Sequence, residues 1–233
     1  MAKKTKEVVF IFGQPGAGKG TQAELLATKT GFYHFESSRI LEACFNEESP
    51  DKVFEVDGQK YRVGDEKTRW EQGLLNSPPF VVNLFLEKIK ELADMGKSII
   101  FSGSPRTVYE AEKEIPLLKE LFGVENLHFL MLEISAETTI FRNSNRRICE
   151  LIRHSILFNK ETEQLTVCPL DGSKLVRRKN LDDIETIKKR LEVFKEQTFP
   201  VTEIINKYGV KFVKINGEQT PDGVHNDILK AIE

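Results

Sequence analysis

Val8-Val9-Phe10-Ile11-Phe12-Gly13-Gln14-Pro15-Gly16-Ala17-Gly18-Lys19-Gly20-Thr21 decides the fold of this 233-residue chain. Its first five residues are β-branched or aromatic without polar alternation, the pattern of a strand covered on both faces. The next nine fit G-x-x-x-x-G-K, and residues 22–30 read as a helix. Strand, glycine-rich turn, lysine and helix in that order make a phosphate cradle. The glycines let backbone N–H groups turn inward, the helix N-terminus adds partial positive charge, and Lys19 reaches the outer phosphates. Gly13, Pro15, Gly16, Ala17, Gly18, Lys19, Gly20 and Thr21 are the expected phosphate-binding residues.

Further along, the same theme repeats. Residues 98–101 are a second apolar run; they follow a helical stretch over 80–95 and meet a break at Ser102-Gly103-Ser104-Pro105-Arg106. A third run, 127–134, precedes a helix from 136 to about 147. A fourth, 210–215, follows a long helix over 184–208 and precedes a last one near 223–232. Buried strands alternating with helices imply right-handed crossovers and a parallel sheet covered on both sides, an α/β fold of the P-loop NTPase type. Two stretches interrupt it. Residues 52–63 form two alternating halves about Asp57-Gly58, a dipeptide suited to a two-residue hairpin turn. Residues 148–183 are rich in turn signals and hold Cys149 and Cys168.

Composition narrows the partners. Hydrophobic residues at 39% and charged at 30% are those of a folded globular chain. Lys plus Arg number 34 against 36 Asp plus Glu, so there is no general positive field for nucleic acid and any anion site is local. No segment approaches the roughly 20 apolar residues of a membrane span. The apolar stretch after the basic N-terminus is too short for a secretory signal. Three cysteines, an odd number, do not make a disulfide framework and suit a reducing compartment, so a cytoplasmic location is expected.

Four motifs resemble those of the adenylate kinase family of nucleoside monophosphate kinases: the phosphate loop with Gly20 and Thr21 after the lysine, Gly103 to Thr107 (GSPRT, like G-F-P-R-T), Arg142 with Arg146 and Arg147 (like R-x-x-x-R-R), and DDIETIKKRL from Asp182 to Leu191. The resemblance covers nearly the whole chain. It implies a core of residues 1–36, 78–145 and 184–233, an acceptor-nucleotide (NMP-binding) insert at 37–77, and a LID at 146–183. It also implies a monomer using ATP with Mg2+ and a nucleoside monophosphate, AMP by family pattern. Lys19, Arg106, Arg142, Arg146 and Arg190 become the expected catalytic cations, Arg142 lying also against the donor base. Ser37, Arg39, Arg106, Glu110 and Arg190 become the acceptor-binding residues. Phosphoryl transfer needs cations converging from several elements, which this set supplies. Asp182 and Asp183 either orient those arginines or are an acidic pair favoured by the dipole of the following helix.

Several positions depart from the family pattern. Ser102 stands where the family has the Asp that holds the Mg2+ shell, Glu42 where it has an acceptor-phosphate arginine, and Asn180 where it has an arginine before the Asp pair; Arg39, and Arg177 or Arg178, are the candidates to stand in. Glu110 replaces the Gln that reads adenine. A carboxylate accepts hydrogen bonds and offers none, which suits guanine N1–H and N2–H2 better than adenine. In the LID, Cys149, Ile152, Cys168 and Asp171 have zinc-ribbon spacing with Ile152 unable to ligate; His154 can complete a Cys149-His154-Cys168-Asp171 set for Zn2+, or the two cysteines act as hydrophobes in a small core. His34, His128 and His225 read as structural or surface residues, and Trp70 as packing. An ATP-binding sensor with a degenerate acceptor site and an NTPase switch are the rival functions.

Overall fold

A computed structural model describes residues 6–153, 155–178 and 182–233. The opening strand β1 (Val8–Gly13) is buried along its whole length, and the loop after it leads into α1 (Lys19–Thr30). Next comes β2 (Tyr33–Glu36), a short strand whose single fully buried side chain is Phe35. Then follow α2 (Ser37–Glu47), the hairpin β3 (Val53–Val56) and β4 (Gln59–Arg62), α3 (Val63–Glu71) and α4 (Pro78–Asp94). The hairpin turns at the anticipated dipeptide: Asp57 at φ 52° and Gly58 at φ 75° are both left-handed, as a two-residue primed turn requires.

The chain returns to the sheet through β5 (Ile99–Ser102), α5 (Val108–Phe122), β6 (Leu127–Glu133) and α6 (Ala136–Ser144). A second excursion consists of β7 (Arg147–Cys149), β8 (Ser155–Ile156) and β9 (Leu175–Val176), an antiparallel three-stranded sheet. The last elements are α7 (Ile184–Val193), α8 (Val201–Lys207), β10 (Phe212–Asn216) and α9 (Pro221–Ile232). The expected single helix over 184–208 is therefore broken. A π-type turn, Phe194–Thr198, precedes Pro200, which has no N–H to continue the ladder, so α8 begins as a separate helix.

The main sheet has the order β10-β6-β1-β5-β2 with every pair parallel. One phenylalanine from each strand, Phe212, Phe129, Phe10, Phe101 and Phe35, stands in a single register row. Neighbouring rings in that row lie 4.4 to 5.6 Å apart and form the spine of the core beneath α4, α5 and α8. On the opposite face Val9, Ile11, Ile100 and Leu130 pack against α1 and α9. Burying one phenylalanine contributes about 1.5–3 kcal/mol, so this row fixes the register of five strands and, with it, the position of every loop at their carboxyl ends. Those loops, after β1, β5 and β6, are where such sheets bind ligands.

Candidate active site

At the carboxyl end of β1 the chain turns through Gly13 to Gly18. Gly16 is buried at φ 88°, and a Cβ there would lie 2.5 Å from Nδ2 of Asn143 on α6. Glycine is thus required both by conformation and by the closeness of the neighbouring helix. Gly18, at φ 92°, precedes α1 and no side chain caps that end, which leaves the first amides of the helix to a ligand. Lys19 folds back over the loop, its Nζ donating to the carbonyls of Gly13 at 2.7 Å and Gln14 at 3.0 Å.

The ammonium of Lys19 is lowered to about 7, first by burial and then by Arg106, Arg190, Arg146 and Arg178. Arg190 on α7 is lowered to about 9 by burial and by Arg178, Arg106 and Arg146. Arg146, just after α6, is lowered to about 10 by burial, Arg178 and Arg142, with Asp182 opposing. Five cations from five places in the sequence therefore act on one another, as neighbours in a poorly solvated cleft do. Arg142 lies at the edge of this group, its Nη1 3.5 Å from the Gly16 carbonyl. A site so positive is built for a polyanion.

Of the two candidates for the arginine replaced by Asn180, the geometry separates Arg177 from Arg178. Arg177 donates to the Ser144 carbonyl at the end of α6. Arg178 belongs to the cationic group and is gripped by Asp182, whose carboxylate accepts from its Nε at 3.1 and 3.2 Å and from its backbone N–H at 3.2 Å. Asn180 itself and His154 lie outside the described residues. The two aspartates divide the alternatives open in the sequence: Asp182 orients an arginine, while Asp183 caps α7, accepting from the Thr186 N–H at 2.9 Å.

Beside this cluster is a pocket lined by Ser37, Leu41, Trp70, Val81, Arg106 and Glu110, among others. Ser37 has a buried hydroxyl without a hydrogen-bond partner among the described residues, a donor and acceptor held in reserve. Trp70, while packing 5.9 Å from Phe45, also lines this pocket. Arg106 donates from Nε to the Gly103 carbonyl at 2.6 Å and is lowered by burial, with Glu110 opposing. Arg39 does not join the group: its Nε lies 2.6 Å from Glu36 Oε2 and its side chain is 64% exposed. Glu42 instead pairs with Arg153 from the second excursion, a contact across 111 residues that no local pattern signals.

Ser102 ends β5 with its hydroxyl 2.6 Å from His34 Nε2. His34, read as a structural or surface residue from the sequence, is a half-buried neighbour of Ser102, and burial holds its ring below the ordinary histidine value. A neutral hydroxyl already bonded to imidazole does not offer the carboxylate seat that Mg2+ takes alongside substrate phosphates. Mg2+ at this position would therefore have to come with the phosphates of a bound nucleotide rather than on a carboxylate at the end of β5. In the second excursion, donor atoms of Cys149, Cys168 and Asp171 all lie within 4.8 Å of one another. The Cys149 thiol donates to Asp171 Oδ2 at 3.0 Å, and this bond, with those from Ser173, holds the Asp171 carboxyl well below the usual carboxylate range. Ile152 is 54% exposed.

A glycine cradle at the first βα junction, roofed by arginines from α6 and α7 and flanked by a second pocket, defines a P-loop phosphotransferase with sites for two phosphorylated substrates. The family model for adenylate kinase matches residues 11–210. The adenylate kinase of Haloarcula marismortui is 33% identical over 230 residues, spanning 97% of this chain and 96% of that protein. Those of Lachnospira eligens and Caldicellulosiruptor saccharolyticus are 33% and 30% identical, over 96% of this chain and 99% and 98% of theirs. The chain belongs to the adenylate kinase family and is a nucleoside monophosphate kinase. No helix among the described residues is long and apolar enough to cross a membrane.

Proposed function

We propose that the chain moves the terminal phosphoryl group of ATP reversibly to a nucleoside monophosphate, with the two nucleotides on either side of the cationic cluster. The observation that carries this reading is the electrostatic convergence of Lys19, Arg106, Arg146, Arg178 and Arg190, a concentration of positive charge suited to phosphate groups. Gly13 to Thr21 take the ATP phosphates on backbone amides and on Lys19. Arg106 and Arg190 hold the acceptor phosphate, and Arg142 and Arg146 the donor side. Their contacts strengthen as negative charge spreads over the transferring group, which is where such donors lower a barrier.

Residues 1–36, 78–145 and 184–233 act as the core, 37–77 as the arm that brings the acceptor, and 146–183 as the lid that excludes water, which would otherwise take the phosphoryl group. The donor set Cys149, Cys168 and Asp171 suits Zn2+, two soft sulfurs and one oxygen, with a fourth ligand from outside these three. The protein works as a cytoplasmic monomer. AMP is the acceptor by family pattern, but ionised Glu110 in the pocket wall weakens that preference in favour of GMP.

A coupled assay of ADP formation from ATP, with and without AMP, GMP, CMP or UMP, tests the reading. Acceptor-dependent turnover is expected. Acceptor-independent phosphate release, or tight ATP binding without either product, refutes it.

A further inference from the structure

Glu42 and Arg153 form an ion pair between the two segments that interrupt the α/β core. Glu42 stands on α2 directly after Leu41, which lines the pocket beside the cationic cluster. The cation one turn before it, Arg39, is already engaged: its Nε meets Glu36 Oε2 at 2.6 Å, and Glu36 Oε1 also accepts from the Ser38 hydroxyl at 3.0 Å. The partner of Glu42 comes instead from the second excursion.

Arg153 is presented by a turn that is itself fixed. Its N–H donates to the Cys149 carbonyl at 3.1 Å, the Glu150 N–H to the Lys174 carbonyl at 2.9 Å, and the Leu151 N–H to the Ser173 hydroxyl at 3.3 Å. Arg153 closes the turn at φ 64°, and the one other non-glycine residue with positive φ among those described is Asp57 in the hairpin. A left-handed backbone carries a conformational cost for any residue but glycine, and it persists where the surrounding structure imposes it, often to aim a side chain. Here the side chain so aimed reaches Glu42.

We propose that Glu42 and Arg153 are positioning residues that couple the two nucleotide sites: their pair clasps the acceptor arm to the lid, so that a nucleotide gathering one segment gathers the other. The proposal rests on the reading of residues 37–77 as the arm and 146–183 as the lid. On the arm side α2 carries Ser37 and Leu41 into the pocket; on the lid side Arg146 and Arg178 stand near the two ends of the segment. The clasp therefore links the wall of one site to the cations of the other. Donor and acceptor then bind with positive cooperativity, and the water-excluding state is most populated when both are present. With the Arg153 side chain 50% exposed and that of Glu42 23%, the pair biases closure without locking it, since surface ion pairs shift an equilibrium by up to about fivefold.

Calorimetric binding of AMP, and in parallel of GMP, with and without saturating AMPPNP, a non-hydrolysable ATP analogue, gives the coupling as the ratio of two dissociation constants. The wild type is expected to bind the monophosphate more tightly when the analogue is present. Glu42→Ala and Arg153→Ala should each lower that ratio by up to about fivefold, and the double variant should lower it no further. Arg153→Lys, which keeps the charge on a similar stem, should retain part of the coupling. A wild-type ratio of one, a ratio unchanged in both single variants, or single effects that multiply in the double variant overturns the proposal. Absence of AMP and GMP binding to the protein saturated with AMPPNP refutes the two-site reading itself, a separate result.

Discussion

Replacing Lys19 by methionine should stabilise the ligand-free protein while disabling it with substrate. Lowering that ammonium from 10.5 to about 7 sets its burial among arginines at about 4 kcal/mol against the folded state at neutral pH. Methionine removes the charge but forfeits the two hydrogen bonds to the Gly13 and Gln14 carbonyls, offsetting about 2 kcal/mol. The remainder, about 2 kcal/mol, corresponds to a Tm increase of about 4–8 °C for a chain of this size. The pH dependence has a definite sign. A lysine whose folded value lies below its unfolded one destabilises fully below about pH 7, and the penalty fades as pH climbs toward 10.5. The advantage of Lys19→Met in thermal unfolding should therefore shrink between pH 7 and 10. With MgATP the order reverses, because the variant loses its grip on the outer phosphates and kcat falls by about 100–1,000-fold. A variant less stable than wild type at pH 7, by a margin that pH leaves untouched, would refute the electrostatic account.

Other perturbations probe the neighbouring parts. Gly16→Ala places a methyl 2.5 Å from Asn143 Nδ2 at a left-handed φ, which should cost about 1–3 kcal/mol in urea unfolding and weaken ATP binding in calorimetry. Asp182→Ala leaves Arg178 buried without its carboxylate and should cost about 3–5 kcal/mol, part of which sulfate restores in a thermal melt; an unchanged melt would show that the pair is solvated. Protein prepared without added zinc should carry about one Zn2+ per chain by metal analysis, and Cys168→Ser should lose it. Stoichiometric absence from the wild type would dismiss the Cys149, Cys168 and Asp171 ligand set.

What the sequence disclosed follows from how local each signal is. The phosphate loop was legible because strand, glycines, lysine and helix are consecutive, and the hairpin because Asp57-Gly58 carries its turn geometry in two residues. The edge strand β2 escaped: it has four residues, and in Tyr33-His34-Phe35-Glu36 only Phe35 is fully buried, too little for a periodic pattern. The single helix anticipated over 184–208 overlooked Pro200. The cationic set was readable only through motifs, since an isolated arginine on a helix is ordinarily a solvated one. Where the motif lapsed, at Asn180, spacing alone left Arg177 and Arg178 equivalent, and only the fold distinguishes them. Ser104 and Glu114 are ten residues apart and became a pair only when the loop after β5 folded against α5. The contact between Glu42 and Arg153 is more distant still.

If residues 146–183 act as the proposed lid, the arrangement of cations supplies a reason for it to close. Arg146 stands where the chain enters the second excursion, and Arg178 near where it leaves, so both ends of that segment carry members of the cluster. Each depresses the other's neighbours, and Asp182 is the carboxylate that opposes the effect on Arg146 and Arg190. Without an anion, bringing these ends together costs repulsion in a cleft of low effective dielectric. A triphosphate between them replaces that repulsion with attraction, and the differential affinity of the ligand for the gathered state is what shifts the equilibrium. On that reading binding and closure are one electrostatic event, in which an anion offsets the repulsion among cations that burial has already stripped of much of their water.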